Sequence, residues 1–231
     1  MGTLVSYQFR DAIGTITMDD GKVNALSLAM LTDLNAAFDQ AESDRAVVVL
    51  TGREGLFSAG FDLSTMRAGG PDASAMVRGG FELAVRMLSF PTPVVIACTG
   101  HAIAMGVFLL LSGDYRVGAA GPYKITANEV AIGLTMPMAA VEIARQRLTP
   151  AHLDRALLLA EVFGPDDSVL AGFLDRVVPA TELADAVRGI AAEFTTLNMH
   201  AHAASKLRAR ADLLKALEAS IDADSAAFGA Q

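Results

Sequence analysis

The sequence is short of charge, of basic runs and of cysteine, and each shortage argues against a class of protein. Only 19% of its 231 residues are charged while 52% are hydrophobic, so the chain can bury a sizeable core and is not disordered. Eighteen Lys and Arg stand against 26 Asp and Glu, for a formal charge of -8, and no stretch is strongly basic. That balance argues against a duplex nucleic-acid partner. The single Cys98 excludes a disulfide scaffold and a cysteine zinc site, and it suits a reducing cytoplasm. Tandem repeats, low-complexity tracts and linkers are also missing, so the length points to one large domain with at most a short appendage.

An uninterrupted hydrophobic span is missing too, despite a mean hydropathy of +0.40. The most apolar window, Pro93 to Ser112, contains Thr99, Gly100, His101 and Gly106 and changes from a β-branched run to a helix-favouring one. A spanning helix needs about 20 mainly apolar residues, so no membrane span is expected. The start, MGTLVSYQFRD, lacks a basic segment followed by an apolar one, so no signal peptide is expected and the protein reads as a cytoplasmic globule.

What is present is an alternation of strands and helices. Val5–Phe9 and Ala12–Met18 are β-rich and separated by a hairpin-like break at Arg10-Asp11. Ser27 can cap a helix whose apolar positions Leu31, Leu34, Ala37 and Phe38 lie largely at three- and four-residue spacing. Residues 46–50 (AVVVL) and 94–98 (VVIAC) read as strands buried on both faces, with a helix around Phe81 to Leu88 between them. Beyond Pro150 the chain reads as helical, apart from a strand at Arg176–Val178. The fold class is therefore α/β, with residues 1–197 as a core and 198–231 as a helical segment for packing or oligomerisation.

Two loops, each after a buried strand, could carry chemistry. In Phe57–Leu63 (FSAGFDL) small residues let the backbone turn sharply and approach a ligand. Gly100–Phe108 (GHAIAMGVF) leads from a strand into an apolar helix whose first N–H groups suit a developing negative charge. Each alone is also an ordinary strand–turn–helix connection. Together they could form an oxyanion hole for a thioester enolate.

These segments resemble the crotonase superfamily, the enoyl-CoA hydratase and isomerase family. FSAGFDL is similar to its F-x-A-G-x-D-[LI] loop, and GHAIAMGVFLLLSGD aligns without a gap on its G-x-A-x-G-G-G-x-E-L-x-x-x-x-D segment. GKVNALS resembles the N-A-L motif, NEVAIGLTMP the P-E-x-x-[LI]-G-x-x-P stretch, and residues 144–179 the A-x-x-x-G-L-[VI]-x-x-V-V region, with Ser168 and Phe173 replacing its first Ala and its Leu. The resemblance implies a spiral of ββα units with a helical C-terminal part, assembled as a homotrimer or a dimer of trimers. It implies an acyl-CoA thioester substrate, with coenzyme A as part of the substrate and with neither a metal nor a separate cofactor.

Carried over residue by residue, the resemblance assigns the oxyanion hole to the backbone N–H groups of Phe61 and Met105. Ala104 and Met105 replace two family glycines, which implies ordinary backbone angles there and a narrower pocket. CoA is expected along Lys22, Val23, Ala25, Ala59 and Leu63, and Lys206 or Arg208 could meet a phosphate or simply be solvated. Family hydratases use two glutamates. One corresponds to Glu129, whereas the other falls on Phe108, among the apolar Val107, Leu109, Leu110 and Leu111. A phenylalanine cannot bind or deprotonate water. One carboxylate beside an apolar wall suits removal of a proton next to the thioester and its return two carbons away, which favours an enoyl-CoA isomerase. A hydratase and a non-catalytic acyl-CoA-binding protein are the alternatives. The remaining candidates read as structural: His101 as a packed, hydrogen-bonded histidine, Cys98 as buried and inert, and Asp114 with Arg116 as a fold element. Met136 and Met138 could join Met105 in shaping an acyl pocket.

Overall fold

The computed structural model describes residues 3–229, with side chains to Ser225. The chain repeats one unit, two strands followed by a helical stretch. The first unit is β1 (Val5–Arg10), β2 (Ile13–Met18) and α1 (Leu28–Ser43); the second is β3 (Val47–Thr51) and β4 (Gly55–Ser58) with α2 (Leu63–Ala68) and α3 (Gly70–Ser89). The third is β5 (Val94–Cys98), β6 (Gly100–Ile103) and α4 (Met105–Leu111). The fourth is β7 (Tyr115–Ala120) and β8 (Ile125–Thr126), then a 3-10 turn at Val130–Ile132 and α5 (Met138–Arg147). From the second unit on, the two strands of each unit enter different sheets. One sheet has the order β1-β2-β3-β5-β7-β9, with β9 at Arg176–Pro179, and the other the order β4-β6-β8. Apart from the antiparallel β1–β2 hairpin, all these pairings are parallel.

Local sequence explains the first elements. Val47–Thr51 and Val94–Cys98 are β-branched runs, and parallel central strands covered on both faces select such runs. Ser27 caps α1, its side chain accepting from the Met30 N–H, and Leu31, Leu34, Ala37 and Phe38 are all buried as their spacing requires. Phe38 meets Phe90 edge to face at 5.3 Å between centroids. On the opposite face of the large sheet, Val49, Val95, Ala97 and Val117 pack under Leu183, Val187 and Ala191 of α8 (Leu183–Phe194). The hairpin break is Asp11-Ala12, both in the left-handed region, so β2 begins at Ile13, one residue later than Ala12.

Between α5 and α8 lie α6 (Pro150–Leu157) and α7 (Pro165–Ala171); α9 (Met199–Ala209) and α10 (Ala211–Gly229) complete the chain. A buried ion cluster ties α9 to the start of β5. The Asp114 carboxylate takes the Val94 N–H at 2.7 Å, the Lys206 ammonium at 2.6 Å and the Arg210 guanidinium at 2.8 Å. Lys206 also donates to the Thr92 carbonyl, and Arg210 to the Leu88 carbonyl. Lys206 is thus a buried structural cation, and phosphate contact at Lys206 is overturned by this geometry; Arg208 stays exposed. Arg116 pairs with Asp175 at 2.6 Å instead of Asp114. Among the described residues no helix is long and apolar enough to cross a membrane.

Candidate active site

The residues of FSAGFDL each do something different. Phe57 is fully buried in the core. The Ser58 hydroxyl donates to the Asn24 carbonyl at 2.8 Å, while the Asn24 side chain donates to the carbonyls of Met18 and Phe57. The GKVNALS segment is thereby fixed beside the loop: the Ala59 N–H meets the Val23 carbonyl and the Leu26 N–H the Gly60 carbonyl. Gly60 turns the chain at φ +87°, and Asp62 caps α2 through the Thr65 N–H.

Gly100–Ile103 is a strand of the small sheet, not a loop, and it seats the second turn against the first. A Cβ placed on Gly60 would lie 2.8 Å from the Ala104 Cβ and 3.1 Å from the Met105 nitrogen. Likewise a Cβ on Gly106 would fall 2.5 Å from the Ser58 carbonyl oxygen. Both glycines are required by the closeness of the two turns. Met105 has ordinary angles as the first residue of α4, but Ala104 sits at φ +50° and ψ -127°, so the expectation of ordinary angles fails there. Such a conformation costs on the order of 1–3 kcal/mol for a residue with a side chain. Its N–H bond to the Thr126 carbonyl and its carbonyl bond from the Val107 N–H hold it in place. Among the described residues, neither the Phe61 nor the Met105 N–H donates a hydrogen bond within the protein.

Both of these residues line a cavity of about 120 Å³, together with Ala59, Leu63, Phe108 and Glu129. Lys22, Val23 and Ala25 lie outside it, alongside the FSAGFDL turn, where the Arg53 guanidinium donates to the Lys22 carbonyl. Met136 and Met138 do not line it either. Phe108 is buried, and Phe81 of α3 bridges it to Phe61 with centroids 6.3 Å from each. These rings form an apolar wall.

Glu129 is the only ionisable side chain among the described residues lining the cavity. It is 8% exposed, and its Oε2 has no hydrogen-bond partner. Burial among apolar neighbours pushes its carboxyl up from 4.5 to about 7, because the lost solvation of the charge outweighs the opposing backbone hydrogen bond. The residue sits just before the 3-10 turn, and its carbonyl accepts the Leu134 N–H after the left-handed Gly133. A turn at residues 121–124 leads into β8, where His101 Nδ1 accepts the Lys124 N–H, and Glu129 follows three residues after that strand.

Several lining residues escaped the sequence reading. Asn128 presents a second buried, unpartnered oxygen, and Met66, Val77, Phe81 and Thr135 are among the further lining residues. Asn128 opens the NEVAIGLTMP motif visible in the sequence, whereas the α3 residues reach the site only through packing.

Comparison with known proteins places the chain in a family. The family model described as enoyl-CoA hydratase/isomerase matches residues 8–231. Mouse mitochondrial enoyl-CoA delta isomerase 1 is 30% identical over 227 residues, covering 94% of this chain and 78% of that protein. A solved enoyl-CoA hydratase/isomerase family protein from Pseudomonas syringae is 47% identical with a TM-score of 0.96, covering 97% of this chain and 98% of its own. A solved Mycobacterium tuberculosis enoyl-CoA isomerase in its apo form is 52% identical with a TM-score of 0.95, covering 99% and 100%. The chain has the crotonase fold and belongs to the enoyl-CoA hydratase/isomerase family of enzymes.

Proposed function

We propose that this enzyme moves the double bond of a 3-enoyl-CoA thioester into conjugation, using Glu129 as its single base. One observation carries the reading: the cavity offers one carboxylate, and the place of a second is filled by the buried Phe108. The thioester oxygen accepts from the N–H groups of Phe61 and Met105. Glu129 breaks the C–H bond at C2, and the electron pair passes into a dienolate held by those two donors. The same carboxyl returns the proton to C4 as the double bond moves from C3 to C2. The wall of Phe61, Phe81 and Phe108 keeps water from adding to the product. A carboxyl near 7 suits both halves of the cycle, since a base and its conjugate acid work best close to the operating pH. The isomerase name of the mouse relative supports the reading, while the mycobacterial protein carries both isomerase and hydratase names.

Coenzyme A enters as part of the substrate, along Lys22, Val23, Ala25, Ala59 and Leu63, and the reaction calls for neither metal nor separate cofactor. Assembly as a trimer or dimer of trimers is part of the proposal, supported by the exposed Leu158, Leu159, Val162 and Leu170 around α6 and α7. A cytoplasmic location suits the buried, unpaired Cys98. The test of the base is Glu129→Gln, assayed with 3-enoyl-CoA and by acyl-CoA binding. Lost turnover with retained binding is expected; unchanged turnover overturns the assignment.

A further inference from the structure

Asp224 lies on the buried face of α10, three residues beyond Ile221 and seven beyond Leu217, where the spacing calls for an apolar side chain. It is only 7% exposed, and among the described residues no cation pairs with it. Both of its oxygens are spent on backbone: Oδ1 accepts the Met138 N–H at 2.9 Å and Oδ2 the Ala139 N–H at 2.9 Å. These are orphan donors at the start of α5. The residue at its N-cap is Pro137, which supplies no side-chain bond, so the cap comes from a helix 86 residues further along the chain.

The segment ending at this cap is the one that carries Glu129. Upstream it is pinned by β8, through the Ala104 N–H on the Thr126 carbonyl and the Ile125–Phe163 bonds. From Gly133 to Pro137 it has no regular structure, yet Leu134, Thr135 and Pro137 line the cavity. Its next fixed point is the α5 N-terminus, clamped by Asp224. We propose that Asp224 is a positioning residue: it holds the downstream end of the Glu129-bearing segment, and so makes the C-terminal helix of the same chain part of the site's framework. The inference rests on Glu129 being the base. An acceptor set reaching the right N–H groups from a distant element is what fixes such a segment without touching substrate, and a displacement of the order of 1 Å in a catalytic group lowers turnover about 100-fold.

The experiment compares full-length Asp224→Ala, Asp224→Asn and Asp222→Asn, measuring kcat and KM with 3-enoyl-CoA and thermal unfolding. Asp222 is exposed and pairs with Arg78 of α3, so its variant loosens α10 without touching α5. Asp224→Ala is expected to lower kcat about 10- to 100-fold with KM changed less than about threefold. Asp224→Asn, which keeps one acceptor oxygen, should fall between it and wild type, and Asp222→Asn should keep full kcat. A kcat for Asp224→Asn and for folded Asp224→Ala equal to wild type, with only the unfolding temperature lowered, overturns the inference. So does equal loss of kcat in Asp222→Asn. Glu129→Gln run beside them separates the two claims: if it abolishes turnover while the Asp224 variants do not affect it, only the positioning role fails, and if it leaves turnover intact, the base assignment fails.

Discussion

Removing the Glu129 charge should stabilise the protein while destroying its activity, and the effect should depend on pH. The folded state holds the Glu129 proton more tightly than the unfolded chain, with the carboxyl at about 7 against an ordinary 4.5. The stability this contributes is fully present below pH 4.5 and is lost as pH rises through 7, where the buried side chain must ionise. At about 1.4 kcal/mol per pH unit, the loss approaches roughly 3 kcal/mol by pH 8 and is less than about 1 kcal/mol at pH 5. Glutamine keeps the size of the side chain and never ionises, so Glu129→Gln should gain that difference over wild type. The assay is denaturant unfolding of both proteins at pH 5 and pH 8, with thermal unfolding alongside. The gain at pH 8 corresponds to a midpoint roughly 6–12 °C higher for a chain of this size. A stability difference that does not change between the two pH values would refute the claim that burial among apolar neighbours raises this carboxyl.

Three further outcomes follow from the same geometry. Below pH 7, kcat/KM for 3-enoyl-CoA should fall about tenfold per pH unit as Glu129 takes up its proton; a profile flat down to pH 5 would contradict the raised carboxyl. Gly60→Ala brings a Cβ to 3.1 Å from the Met105 nitrogen at a positive φ, and should cost about 10²–10³ in kcat, as loss of one oxyanion donor does. Asp114→Asn leaves Lys206 and Arg210 buried without their carboxylate, and should lower unfolding stability by about 3–5 kcal/mol in a denaturant titration.

The strands at Val47–Thr51 and Val94–Cys98 and the helix capped by Ser27 were readable because their signals are local: β-branched runs, a capping hydroxyl, an apolar stripe. The two turns of the site were readable because their glycines and small residues answer a close approach that the residues on either side announce. Gly100–Ile103 was not readable as a strand, since GHAI becomes one only by pairing with β4 and β8. The positive φ of Ala104 is likewise imposed by neighbours, through bonds to Thr126 and Val107. Lys206, Arg210 and Asp224 look like solvated helix charges in the sequence, and only the packing of α9 and α10 turns them inward. Phe81 joined the candidate site for the same reason, by where α3 lies over the cavity.

The central claim is one carboxylate facing an apolar wall, with no second carboxylate among the described residues of the cavity to activate a water. It is tested most directly by giving the purified protein 3-enoyl-CoA and, separately, 2-enoyl-CoA, and following the conjugated thioester in each. The account predicts that conjugation appears with the first substrate and that the second is not hydrated. Hydration of 2-enoyl-CoA at a comparable rate, or tight binding of both with neither converted, would contradict it.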